Sequence, residues 1–416
     1  MNRVIAAVLA VTSCATEAQA QTSGSATDGP VLTLAQALDL AGASAPSVEA
    51  ATAGVRAASA ARQVAALRPN PTISTDIENV GGSRAYNIIE VPKQTVSVGL
   101  PVEMGGKRSA RIAVADAQGQ RAGIDRAIAE ADLRLAITKA YVEAVAADRR
   151  LVTTRDQASL ADDALHAAHI RVQAGRASPL EEQRADVLRI NARTALDRAG
   201  RLAELAHGNL GRRIGRSATV SLDERWFNRV DSYGPAQILD ARQTLGAAAA
   251  RSDERTAAAQ VRLARSQRIP DVTLSAGARR LPINNDVAAV FGVSIPLPLF
   301  NRGTAAVDQA SAEQERASAL RRATEIDTEQ AVAQAQADVA NAAASARTAA
   351  GPVLAAAQEA ARIARIGYRE GKFGQLDLLD AERTLAETRA AAIDALATFH
   401  HAQAELDRLT ASVSKD

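Results

Sequence analysis

Two carboxylates, Asp377 and Asp380, stand three residues apart just beyond a glycine-bearing turn. That spacing puts both on one face of a helix. In a threefold ring each would make a triangle of carboxylates, a field favouring cations. The local alternative is a helix-start carboxylate stabilised by the macrodipole, which fits Asp377 better than Asp380, one turn further in. The turn before them reads Gly367-Tyr368-Arg369-Glu370-Gly371-Lys372-Phe373-Gly374-Gln375-Leu376. An earlier turn reads Arg171-Val172-Gln173-Ala174-Gly175-Arg176-Ala177-Ser178-Pro179-Leu180-Glu181. Gly175 and Gly371 suit the position just past a helix end where φ is positive.

The remaining candidates for chemistry are sparse. The five histidines are His166, His169, His207, His400 and His401. His166 and His169 share a helix face at i,i+3, but a metal site needs three or four supported ligands. Solvated surface histidines are therefore expected, with no metal site and no cofactor. The single cysteine, Cys14, excludes a disulfide framework and a cysteine-based zinc site. Apart from Met1 the only methionine is Met104, too few for a methionine ladder. Nothing looks catalytic.

The elements that must position these groups follow from composition. Of 416 residues 97 are alanine and only 2% are aromatic. Alanine makes helix readily but buries little surface, so long helices in close contact fit better than a thick globule. The charges nearly cancel, at a formal net of +2, and no dense basic stripe with interleaved aromatics suggests nucleic acid. A short positive start, an apolar run over 4–11 and Ala18-Gln19-Ala20 predict a signal peptide, 1–20, ahead of a flexible segment, 21–30. The rival is lipidation at Cys14, because Val11-Thr12-Ser13-Cys14 loosely matches a lipobox. Beyond this start no run of 18 apolar residues occurs.

An internal repeat organises the rest. Arg68-Pro69-Asn70-Pro71 recurs loosely as Arg268-Ile269-Pro270-Asp271, Leu100-Pro101-Val102 as Ile295-Pro296-Leu297, and Gly175 with Leu180 as Gly371 with Leu376. The offsets exceed any solenoid period, so the chain is a duplication. The repeats span 31–214 and 235–411, with a linker at 215–234 and a tail at 412–416. Each should open with a helix (about 33–67 and 235–268), with Thr33 or Ser47 as candidate caps in the first. Two period-2 strands follow in each, about 72–80 and 94–102, then 271–280 and 287–297. A very long helix comes next (107–173 and 303–366). A tip (about 174–180 and 367–376) then leads into a returning helix (180–213 and 376–411). The fold class is mainly α with a small β part.

Four strands cannot close a barrel, for which about eight is the practical minimum. In lipid an open edge is prohibitive, and three copies would supply twelve strands, within the range of outer-membrane barrels. Two other architectures have long helical hairpins. A periplasmic adaptor should carry one hairpin flanked by β-rich halves, whereas this chain has two and little β. A soluble coiled-coil scaffold would fractionate with the periplasm.

Several motifs, in order and twice over, carry a family resemblance from about Leu32 to Leu409. Leu32-Thr33-Leu34-Ala35-Gln36-Ala37-Leu38, Pro101-Val102-Glu103-Met104-Gly105-Gly106-Lys107-Arg108 and Ser294-Ile295-Pro296-Leu297-Pro298-Leu299-Phe300-Asn301-Arg302-Gly303 resemble the TolC family of outer-membrane efflux proteins. The last two resemble its heavy-metal cation (CzcC-type) branch. The resemblance implies a homotrimer in outer-membrane lipid, a 12-stranded β-barrel continuing into a helical periplasmic tunnel. It also implies a periplasmic adaptor (membrane fusion) protein and an inner-membrane proton-driven RND pump. Cargo would be metal cations such as cobalt, zinc, cadmium, nickel or copper, with drug efflux and type I protein secretion as alternatives. By the same resemblance Asp377, Asp380, Tyr368 and Glu181 belong to a periplasmic gate. Gly175, Leu180, Gly371 and Leu376 match adaptor-contact tips. Phe373 occupies the place of Glu181's expected basic partner, leaving Arg176 or Lys372 as substitutes.

Overall fold

The computed structural model describes residues 31–42, 45–80, 92–216, 221–230, 240–281 and 285–412. The expected signal peptide with Cys14, the 21–30 segment and residues 413–416 lie outside the described residues. The first repeat holds α1 (Leu34–Gly42), α2 (Pro46–Ala65), β1 (Thr72–Glu78), β2 (Lys93–Val102), α3 (Lys107–Gln173) and α4 (Pro179–Ile214). The second holds α5 (Leu245–Gln267), β3 (Val272–Leu281), β4 (Asp286–Ser294), α6 (Thr304–Thr348), α7 (Leu354–Arg369) and α8 (Gln375–Thr410).

Local chemistry sets these ends and corrects some expectations. The opening helix is two. Thr33 and Gln36 cap α1 reciprocally: the Gln36 N–H donates to Thr33 Oγ1 at 3.3 Å and the Thr33 N–H to Gln36 Oε1 at 3.0 Å. Pro46 occupies the first turn of α2 behind Ala45, so Ser47 is not a cap. In the second repeat Thr244 caps α5, accepting from the Ala247 N–H at 3.3 Å. The expected 303–366 helix is interrupted at Ala349–Val353, where Gly351 leaves helical angles and Pro352 has no N–H to donate. α3 has no such break, and its 67 residues reach roughly 100 Å.

Alanines line the helix contacts while ion pairs along their margins fix the register. Between antiparallel α3 and α8, Asp132 pairs with Arg408, Lys139 with Glu405 and Arg150 with Asp394 at 2.5–2.6 Å, and His401 hydrogen-bonds Glu143 at 2.8 Å. Exposed pairs contribute about 0–1 kcal/mol each, so this ladder selects alignment more than it adds stability.

The main core sits halfway along. The short helical turn Arg225–Asn228 brings Trp226 and Phe227 against Tyr141 of α3 and Phe399 and His400 of α8. The buried Tyr141 hydroxyl donates to the Leu32 carbonyl at 2.7 Å and accepts from the Asp223 N–H at 3.0 Å. Burial pushes its pKa up to about 12. His400 is not a solvated surface histidine. It is buried, its Nε2 lies 2.9 Å from the Phe227 carbonyl, and its ring packs 4.2 Å from Trp226.

The four strands form one antiparallel sheet in the order β1-β2-β3-β4, so β2–β3 pairing joins the two repeats. β4 ends at Ser294 rather than 297 because Pro296 and Pro298 cannot donate to a ladder. β1 and β4 are left as edges.

Candidate functional site

The sheet is two-faced. Register places Ile73 opposite Val98, Val98 opposite Ala276, and Ala276 opposite Phe291, so one apolar row crosses all four strands. Neighbouring rows add Val96, Leu100, Leu274 and Val293. These side chains have no cover within the chain: Ile73 is 78% and Phe291 81% exposed. The opposite face is polar and small. Ser74 and Ser97 share a hydrogen bond at 2.8 Å, and Arg279 reaches Thr95 at 3.0 Å and Glu78 at 3.6 Å. Gly277 lies so close to the β2 backbone that a Cβ would meet the Val96 carbonyl at 2.4 Å. Apolar outside, polar inside and unpaired at both edges, the sheet has the make-up of an arc of membrane barrel wall. No described helix is long and apolar enough to cross a membrane.

Where the strands meet the long helices the chain turns into α3 through Gly105 and Gly106, and into α6 through Gly303, all at positive φ. Lys107 and Met104 N–H hold Asp271 at 2.7 and 3.0 Å, tying the two repeats together. Arg111 binds Glu103, whose pKa its hydrogen bond lowers.

The hairpin tips lie at the far ends of the helices. Both turns close with the same geometry. The Arg176 N–H donates to the Arg171 carbonyl and the Lys372 N–H to the Gly367 carbonyl, each at 2.8 Å, with Gly175 and Gly371 at φ near 70°. Their helix starts differ. Ser178 caps α4, accepting from the Leu180 N–H at 3.3 Å, with Pro179 next. At α8 the Asp377 carboxylate accepts the Gly374 N–H at 2.9 Å, so Asp377 does serve its own helix start. Asp380 is exposed one turn further on. Leu180 and Leu376 are also exposed, at 56% and 67%.

At the tips Arg171 joins the two hairpins. Arg171 Nη1 donates to the Tyr368 hydroxyl at 2.8 Å, lies 3.3 Å from Glu181, and its guanidinium carbon stands 5.5 Å from the Tyr368 ring centre. Tyr368 first, then Glu181, raise its pKa above the ordinary arginine value. Glu181 Oε1 is buried and makes no aligned hydrogen bond, so Arg171 is its charge partner. Arg176 and Lys372, the expected substitutes, do not fill that role. Phe373 instead packs on Gly367, where an added Cβ would meet its ring at 2.2 Å. Sequence reasoning missed Arg171, although a cation in the last turn of α3 was the available signal. His169 faces Glu182 at 2.7 Å, and no three metal-capable side chains converge among the described residues.

A two-faced partial sheet above two long helical hairpins defines an outer-membrane channel protein. Residues 37–215 and 234–412 both match the family described as outer membrane efflux protein, and the chain belongs to that family. It is 31% identical over 396 residues to the cobalt-zinc-cadmium resistance protein CzcC of Cupriavidus metallidurans, spanning 92% of this chain and 90% of that one. It is similar, at 31% over 294 residues and 70% of each chain, to the nickel and cobalt resistance protein CnrC of the same organism. The outer membrane protein VceC from Vibrio cholerae has the same fold, with a TM-score of 0.75 over 91% of this chain and 96% of that one at 20% identity. The protein is thus a non-enzymatic outer-membrane efflux channel with a helical periplasmic extension, of a family whose members are trimeric parts of tripartite efflux systems.

Proposed function

We propose that this channel is the exit duct for heavy-metal cations, of the cobalt, zinc, cadmium, nickel or copper type. In this reading it works with a periplasmic adaptor and an inner-membrane RND pump. The observation that carries the reading is the near full-length similarity to a cobalt-zinc-cadmium resistance protein. The chain's own chemistry is compatible with passage rather than storage, since a conduit must bind its cargo weakly. In this reading residues 1–20 direct the chain across the inner membrane and are then removed, or Cys14 is lipidated instead. Deleting the gene and measuring tolerance to each of the five metals tests the assignment. Unchanged tolerance to all, with loss of drug tolerance instead, would transfer it to multidrug efflux.

The entrance in this reading is the pair of tips. Asp377 and Asp380, repeated by threefold symmetry, form carboxylate rings that concentrate cations. Arg171 clasps Tyr368 and Glu181 and so holds hairpin to hairpin in the closed state. Gly175, Leu180, Gly371 and Leu376 form the surface that meets the adaptor, whose contact selects an open arrangement of the hairpins. Support comes from the exposed leucines at both tips and from Arg171, which spans the two hairpins there. Conductance in planar bilayers of Asp377→Ala/Asp380→Ala tests the rings. Cation preference and block by multivalent cations should both fall, and their persistence would remove the ring assignment.

A further inference from the structure

The passage from β4 to α6 carries apolar side chains that the chain does not cover. Ile295, Leu297 and Leu299 continue the odd-numbered alternation that places Phe291 and Val293 on the outer face of the sheet. Pro296 and Pro298 separate them, and the Leu299 N–H bonds the Leu297 carbonyl at 2.9 Å, so the segment is a fixed turn. Phe300 follows, fully exposed at 102%. Immediately below lie cations. The two local carboxylates, Glu103 and Asp271, are already taken by Arg111 and Lys107. Arg108 donates its Nε to the Ala66 carbonyl at 2.6 Å and Arg268 its Nε to the Arg302 carbonyl at 3.3 Å. Among the described residues no carboxylate pairs with Arg108, Arg268 or Arg302.

We infer that this collar binds anionic phospholipid in the periplasmic leaflet of the outer membrane. Its apolar part is continuous with the lipid face of the barrel wall, and it lies at the strand ends from which the helices descend, which fixes the leaflet. Aromatic side chains at that level sit in the headgroup boundary. Arginine presents a planar fork that matches phosphate oxygens. Leu297, Leu299 and Phe300 contact the upper acyl chain, and Arg108, Arg268 and Arg302 take the phosphate and the headgroup charge. Each basic residue near an anionic surface gains about fivefold in affinity.

The test is native mass spectrometry of the full-length channel, released from detergent after incubation with equal phosphatidylglycerol and phosphatidylethanolamine. Wild type should retain phosphatidylglycerol preferentially, and millimolar inorganic phosphate should not displace it. Arg108→Gln/Arg268→Gln/Arg302→Gln should lower that retention at least tenfold while leaving oligomeric state and conductance intact. Phe300→Ser should lower retention of both lipids. Equal retention of the two lipids by wild type, undiminished retention in the triple variant, or displacement by free phosphate would each overturn the inference. A Phe300→Ser channel that loses its oligomer but keeps its lipid would place Phe300 between protomers, contradicting its lipid contact.

Discussion

The middle of the molecule and its periplasmic tips are held by different physics. In the middle, Tyr141, Trp226, Phe227 and His400, four of the chain's few rings, pack together and are tied to backbone from distant segments. At the tips there is no such core. Two glycine turns, one cap apiece, the Arg171 contacts and the Arg365–Glu382 ion pair hold the hairpins there. Stability is therefore concentrated where the helices must stay fixed, and the ends are secured by a few separable contacts. The interruption at Gly351-Pro352 lies between the two regions, in the second repeat only. An element joined by few contacts is free to move without unfolding its anchor.

That contrast gives a graded series. Phe227→Ala removes a fully buried ring and should cost about 3–5 kcal/mol, read as a large drop in melting temperature. If it cost no more than a tip substitution, the contrast would be lost. Tyr141→Phe removes the hydroxyl's bonds to the Leu32 carbonyl and the Asp223 N–H, which still bond each other at 3.0 Å, so the cost should be about 0.5–1.5 kcal/mol. Tyr141 also sets a pH window. Its folded pKa of about 12 lies above the ordinary value of 10.0. Its contribution is therefore complete below pH about 10 and disappears as pH rises through about 12. Alkaline melts should show wild type losing this increment and Tyr141→Phe not losing it.

Arg171→Ala should cost about 1 kcal/mol or somewhat more, since Glu181 loses its charge partner at a partly exposed site. Its larger effect should be on the closed state, with higher basal conductance, and Tyr368→Phe should reproduce part of that rise. Silent bilayers in both variants would remove the clasp. Gly175→Ala and Gly371→Ala should each cost about 1 kcal/mol, because both turns demand the same left-handed residue. A difference between the two would show that the turns are not equivalent in solution.

What could be read from residue order alone follows from the range of each interaction. Period-2 alternation at Val96, Val98 and Leu100 marks a strand because the signal lies within a few neighbours. The alternation past Ser294 misled, since Pro296 and Pro298 preserve the pattern while removing the donors. The break at Gly351-Pro352 was present in the sequence but submerged in alanine-rich helix signal. The central core was not legible, because Leu32, Tyr141, Asp223 and His400 meet only in three dimensions. At the tips the glycines spoke for themselves, whereas Arg171 finds Tyr368 197 positions away.

The most direct trial is the size and pore activity of one detergent-solubilised preparation. Within the described chain the outer edges of β1 and β4 have no strand beside them, so the protein mass should equal three chains and the same particles should conduct in planar bilayers. A stable single-chain particle that opens no pore would contradict the account.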